Sequence, residues 1–228
     1  MINALLQTPL FWATLTIAGF IIGQHIYNLS GNNPFTQPVL LGLALVVFVV
    51  EISGTTYDTY MLGGDYLHQM LSPVVVMLAV PMADFVANMR RQWLRILLAV
   101  SVGSGVTIGI AGGLTYWYLA DTVVANTIMT KSVTTPIAVA IAEEVGGIPA
   151  LSSAFVMITG LLGALMIPSI LKMAKVTEPQ AQGVALGVCA HAIGTARALE
   201  LGQQQAAYSA MAMTLTGTLH AIILPLIL

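Results

Sequence analysis

Two short stretches carry the most suggestive polar chemistry in this chain. The first reads MTKSVTTPIA, Met129–Ala138. Lys131, Ser132, Thr134 and Thr135 all donate hydrogen bonds, and on a helix Lys131, Thr134 and Thr135 share one face at i, i+3 and i+4. Pro136 removes a backbone donor and clashes with the preceding turn, so a helix running through Thr135 should kink or stop. If Pro136 opens a new half-helix, Thr134 or Thr135 is its N-cap. Backbone amides and the positive end of the helix dipole then face whatever fills the gap. With a lysine alongside, that chemistry suits an anion. The plainer alternative has Lys131 reaching to the membrane interface and the threonines bonding to their own helix.

The second stretch reads QGVALGVCAHAIGTARALELG, Gln182–Gly202. Gly183, Gly187, His191 and Gly194 lie on one helical stripe, and Thr195 follows His191 by four. Small residues on such a stripe let another backbone approach closely. His191 and Arg197 are ionisable groups in an apolar environment, where they are expensive and usually functional. The plainer alternative bonds His191 to a neighbouring helix and pairs Arg197 with Glu200. Two Gly/Pro-interrupted polar segments in one short chain resemble the paired broken helices of secondary transporters, which bind substrate at the midplane.

Other chemistry is weaker. Lys131 and Ser132 could suggest a Ser/Lys hydrolase dyad, but adjacent helical residues point about 100° apart and no oxyanion hole is evident, so no enzyme is expected. Cys189 is the only cysteine, which excludes an intrachain disulfide and a cysteine metal site. His25, His68 and His220 show no ligand spacing, so no metal or other cofactor is expected. A net charge of −2 leaves no basic patch for nucleic acid. Glu143 and Glu144 read as a solvated turn.

The elements that position these residues follow from composition. Of the 228 residues 57% are hydrophobic and 7% charged, against about 25% charged in a soluble domain. Mean hydropathy is +0.90. The expectation is an all-α polytopic integral membrane protein, a single domain over residues 1–228. A crossing helix needs about 20 apolar residues. Six spans meet or approach that: Thr8–Leu29, Pro38–Ile52, His68–Val86, Trp93–Tyr118, Ile148–Met173 and Gln203–Leu228. Asp121–Val145 and Glu178–Leu199 are apolar but broken. NLSGNNPFTQP and SGTTYDTYMLGGDY read as loops. A short echo between LSPVVVMLAVP from Leu71 and TTPIAVAIAEE from Thr134 raises an internal repeat. Gly103 with Gly105, and Gly160 with Gly163, could support self-association.

The seven lysines and arginines set the orientation. Arg90, Arg91 and Arg95 cluster in one expected loop and Lys172 and Lys175 in another, and the positive-inside rule places both in the cytoplasm. A full crossing by Asp121–Val145 would leave Lys172 and Lys175 outside. A segment that dips in and returns leaves them inside. The charges therefore favour a re-entrant or discontinuous segment around Lys131.

KSVTTPIA, then GGIPALSS, then GVALGVCAHAIGTARALELG, with ISGTTYD at Ile52–Asp58, resemble the LrgB family, also called CidB-like or YohK-like. The blocks have that family's order and spacing. The resemblance implies a multi-pass protein of the bacterial cytoplasmic (inner) membrane, with an LrgA/CidA-type small membrane partner. It implies one of two roles. One is a holin- or antiholin-like modulator of murein hydrolase activity and lysis. The other is a transporter of small monocarboxylates, the glycolate, glycerate, pyruvate or lactate class, as in plastidial glycolate/glycerate relatives. The family's polar motifs correspond to Lys131, Ser132, Thr134, Thr135 and Pro136, and to His191, Gly194, Thr195 and Arg197. Together with the residue reading these imply a carboxylate held by Lys131 or Arg197, with hydroxyls replacing its water. His191 would carry a coupled proton, the coupling ion (H+ or Na+) being left open. The expectation is thus a carrier that works as a homo-oligomer, with the lysis modulator as the alternative.

Overall fold

The computed structural model describes residues 6–31, 36–70, 73, 76–77 and 79–228. Among these residues the chain is all-α, and it divides into two compact units, Met1–Met77 and Leu78–Leu228. The first unit holds α1 (Pro9–Leu29), α2 (Pro38–Ser53) and α3 (Tyr57–Gln69). Glycines let α1 approach both partners: Gly19 meets Gly42 of α2, and Gly63 of α3 sits against Trp12 and the Pro9 carbonyl. Trp12 is fully buried, donates from Nε1 to the Leu6 carbonyl at 2.9 Å and stacks edge-on with Tyr60.

The second unit holds α4 (Ala79–Leu119), α5 (Thr122–Met129), α6 (Thr135–Glu144), α7 (Pro149–Met173), α8 (Pro179–Leu201) and α9 (Gln203–Ile227). Five helices, α1, α4, α7, α8 and α9, are long and apolar enough to cross a membrane. The shorter α2 is apolar as well.

Two stretches expected as loops are helical instead. SGTTYDTYMLGGDY is mostly helical, because Thr56 caps α3 by accepting from the Thr59 amide, and Gly63 serves helix contact instead of chain reversal. The expected arginine loop is the interior of α4. No glycine or proline falls between Met82 and Val102, so nothing stops the helix. At 41 residues α4 is about 62 Å long, roughly twice the hydrocarbon core, so its arginine-bearing end extends beyond the membrane. The expected His68–Val86 span and the Leu71 stretch of the suggested repeat fall partly outside the described residues.

Both broken segments fold back on themselves. Asn126 of α5 donates to the Val145 carbonyl at 2.9 Å, and the Thr127 hydroxyl accepts from the Ile148 amide at 2.9 Å. The end of α6 has therefore returned to the level of α5, making a helical hairpin whose tip is Thr130–Thr134. In α8 the reversal occurs at His191 (φ 40°, ψ −127°), the dihedrals of the first central residue of a type II′ turn and ordinarily a glycine position. Gly194 consequently lies against the carbonyl of Leu186, eight residues back. In a continuous helix those residues would be about 12 Å apart. The expected stripe through His191 is broken by this turn. Gly183 and Gly187 face α9, against Gln205, Tyr208 and Ser209, while Gly194 faces its own first half-helix. α8 thus enters and leaves from one end of the bundle, despite its length.

The hairpins enter from opposite ends. One buried cluster joins Met89, Ile96 and Val100 of α4, Val188 of α8, and Ala207, Tyr208 and Ala212 of α9. The other joins Ile108 of α4, Ala138, Ile141 and Val145 of the first hairpin, Val156 of α7 and Leu224 of α9. Since α4 and α9 run parallel through both, the α8 hairpin fills one half of the bundle and α5–α6 the other. Helix plus hairpin, α4 with α5–α6 and α7 with α8, therefore occurs twice in inverted orientation. Gly103, Gly160 and Gly163 are used within the chain, against Val188, His191 and Ala190, which removes most of the small-residue argument for self-association.

Candidate functional site

The two hairpin tips converge on α7. Thr130 shares a 2.6 Å hydrogen bond with Ser152, and one turn further along His191 Nε2 lies 3.1 Å from the Val156 carbonyl. A carbonyl only accepts, so Nε2 of His191 carries the hydrogen and this nitrogen is committed to structure. Gly160 makes room for the same ring, since a Cβ there would meet Cε1 and Nε2.

Around the first tip, Lys131 is half-buried and donates from Nζ to Ser132 Oγ over a long 3.4 Å, and Ser132 is buried. Thr134 is the N-cap of α6, Thr135 its first residue, and Pro136 lies in its opening turn, as the sequence suggests. The Thr134 hydroxyl makes no capping bond, which leaves it and the helix terminus open to another partner. The helical half after His191 also starts at its tip, so two positive helix ends are brought to the middle of the bundle.

The structure brings Lys131 within electrostatic reach of Cys189, two residues before the second tip, and of His220 on α9. It gives Thr195 and Arg197 other work. Thr195 donates to the His191 carbonyl at 2.9 Å and contacts Ser209 at 2.9 Å, tying the returning half-helix to α9. Arg197 is paired with Glu200. Gly194 permits the close return of the chain. Glu143 and Glu144 are exposed at the base of the first hairpin.

Three further residues, which no sequence motif singles out, lie near the level where the tips meet. His220 is fully buried, and its Nδ1 lies 2.9 Å from the Thr216 carbonyl, so Nδ1 carries the hydrogen and Nε2 presents a lone pair. That Nε2 is buried without a partner, as are the hydroxyls of Ser104 on α4 and Thr216 on α9. Ser104 follows Gly103, which touches the α8 tip region at Val188, and Thr216 precedes Gly217, which touches Ile137 of α6. Buried polar atoms are nearly always satisfied, so unpaired ones at one level point to water or solute. The Thr216–His220 spacing of four on an apolar helix was the available signal. Among the described residues no cluster of His, Cys, Asp or Glu could hold a metal ion.

Comparisons with known proteins agree with this membrane architecture. Residues 16–228 match the LrgB-like family. YxaC of Bacillus subtilis (strain 168) is 33% identical over 220 residues, covering 93% of this chain and 92% of its own. YwbG of the same strain is 32% identical over 214 residues, covering 94% and 95%. A protein of Bacillus mycoides (strain KBAB4) named antiholin-like protein LrgB is 28% identical over 220 residues, covering 96% of each. No solved structure matches. This multi-pass membrane chain belongs to the LrgB-like family.

Proposed function

We propose that the chain is a carrier of small organic anions, monocarboxylates of the glycolate, glycerate, pyruvate or lactate class, working by alternating access around the two hairpin tips. One observation carries this reading: the buried, unpartnered polar atoms of Ser104, Thr216 and His220 lie at the level where two inverted hairpins end, with Lys131 within electrostatic reach of His220. A small carboxylate needs one cation, a few donors to replace its water and a helix N-terminus. Lys131, Ser132, Thr134, Thr135 and Pro136 at the start of α6 supply that set, Ser104 and Thr216 extend it, and Nε2 of His220 accepts a hydroxyl or a coupled proton. His191, Gly194, Thr195 and Arg197 shape and brace the second hairpin. Inverted repeats with interrupted helices at the midplane are the architecture on which secondary transporters rock. No catalytic step is assigned to the Lys131–Ser132 contact.

The second reading is a holin- or antiholin-like pore or regulator of murein hydrolases, and the names of relatives favour it. Both readings place the chain in the bacterial cytoplasmic membrane as a homo-oligomer with an LrgA-type partner. They part on flux. Reconstituted alone in proteoliposomes, the chain should take up labelled pyruvate or glycolate with saturation and competition, and Lys131→Ala should lower uptake at least about tenfold. Running the assay with and without a pH or sodium gradient identifies the coupling ion. Unsaturable flux of solutes of either charge would select the pore. No flux, alone or with the small partner, would select a regulator.

A further inference from the structure

A cavity of about 910 Å³ opens between α4, the first half of α8 and α9, on the arginine-bearing side. Arg91 and Arg95 of α4 and Glu178 at the start of α8 line it, and Cys189 and Tyr208 line it further along the bundle. From Glu178 to Cys189 is 11 residues of helix, about 16 Å, and from Arg91 to Gly103 about 18 Å. Both distances are roughly half of a 30 Å hydrocarbon core. Where α4 and α8 close on each other, Gly103 meets the side chain of Val188, so the cavity ends beside the hairpin tip.

Its charge gives it a chemical preference. Two guanidiniums against one carboxylate leave the lining net positive, and none of the three makes an ion pair among the described residues. At the upper end of the usual 300–1,000 Å³ for ligand pockets, the cavity is too large to grip a two- or three-carbon acid and suits a hydrated passage.

We propose that this cavity is the vestibule through which small anions reach the hairpin tips from the arginine-bearing face, drawn in by Arg91 and Arg95 and handed past Tyr208 and Cys189 to Lys131. The proposal rests on the carrier reading and adds to it a path, a side and a charge preference. The last step has a geometric basis: Lys131 follows Thr130 and Cys189 lies two residues before His191, and Thr130 and His191 bond to successive turns of α7 at Ser152 and Val156. Between the charged mouth and the tip the lining includes apolar residues such as Ile96 and Val184, so a hydrated anion meets few groups there that would trap it.

Cys189 is the sole cysteine of the chain, so its modification reports on this one place. The test uses full-length protein in sealed proteoliposomes with two membrane-impermeant methanethiosulfonates, the anionic ethylsulfonate and the cationic ethyltrimethylammonium, and Cys189→Ser as the blank. The expected result is modification from the arginine-bearing face only, with the anionic reagent favoured roughly tenfold after correction for intrinsic reactivity. The Arg91→Gln/Arg95→Gln pair, at exposed positions, should abolish that preference by slowing the anionic reagent without slowing the cationic one. Labelling that is equal for both reagents, or unchanged in the double variant, overturns the proposal. So does a Cys189 that reacts in denatured protein and from neither face in membranes. Saturating pyruvate or glycolate should slow the anionic reagent. Anion-preferring labelling without such protection keeps the vestibule and removes the monocarboxylate carrier, so the two readings fail separately.

Discussion

At the scale of single residues, buried groups divide into those with a structural partner and those without. His191 spends Nε2 on the Val156 carbonyl, and Thr195 spends its hydroxyl on the His191 carbonyl and Ser209. His220, Thr216 and Ser104 each hold an unpaired polar atom. Removing an unpaired polar atom in favour of an apolar group of similar size is nearly neutral for stability, whereas removing one partner of a satisfied pair costs about 1–3 kcal/mol. His220→Phe gives up only the Nδ1 bond to the Thr216 carbonyl, which still accepts from the helix's own amide, so it is expected to hold its melting temperature in detergent while losing most substrate uptake. Thr195→Val, which abandons Ser209, should lose stability first. Thermal unfolding and proteoliposome uptake on the same preparations check both. A His220→Phe protein that melts early, or that transports normally, would remove His220 from the site. The sequence marks His191 more strongly than His220, since His191 sits in a glycine-rich polar block and His220 in an ordinary apolar helix. Which imidazole is already committed depends on a carbonyl 35 residues away, and no local pattern encodes that.

At the scale of elements, the glycines sort into those that meet a neighbour and those that meet nothing. A Cβ on Gly187 would press on the Ser209 carbonyl and reach Ala212 at 3.0 Å, while one on Gly105 has open space. Gly187→Ala is expected to destabilise the chain by separating α8 from α9. Gly105→Ala should be neutral or stabilising by up to about 1 kcal/mol through helix propensity. Thermal unfolding of the two variants decides it, and equal shifts would mean that α8 and α9 do not pack as described. This contrast was partly legible. The Gly183–Gly187 spacing announces a close helix contact, and α9 supplies it. The break at Pro136 was equally plain, because proline acts locally. A break somewhere in Glu178–Leu199 is legible as well, but its place at His191 is not, because a residue with a Cβ adopts φ 40° only when surrounding contacts hold it there, and the Val156 carbonyl and Gly160 provide that hold.

For the whole molecule, the decisive feature is that two segments long enough to cross the membrane turn back instead. Thr122–Glu144, laid straight, would reach about 34 Å, enough for a full span, so length cannot distinguish a crossing from a hairpin. The placement of Lys172 and Lys175 relative to Arg90, Arg91 and Arg95 does distinguish them, and it favours the return that Asn126 and Thr127 make with Val145 and Ile148. The fold-back of α8 has no such charge signature, because Lys175 precedes it and no lysine or arginine follows Arg197. Surface labelling tests both at once. In a Cys189→Ser background, Asp121→Cys and Glu144→Cys lie at exposed positions flanking the first hairpin, and Glu178→Cys and Gln203→Cys at exposed positions flanking the second. With an impermeant maleimide on sealed vesicles of known orientation, the first pair should label from one face and the second pair from the other. If Asp121→Cys and Glu144→Cys label from opposite faces, the first hairpin crosses the membrane and the inverted repeat is lost. If the four sites divide two and two as expected, each hairpin brings a helix N-terminus to the midplane from its own side. Tilting α7 against α4 and α9 would then open one side of the tips as it closes the other.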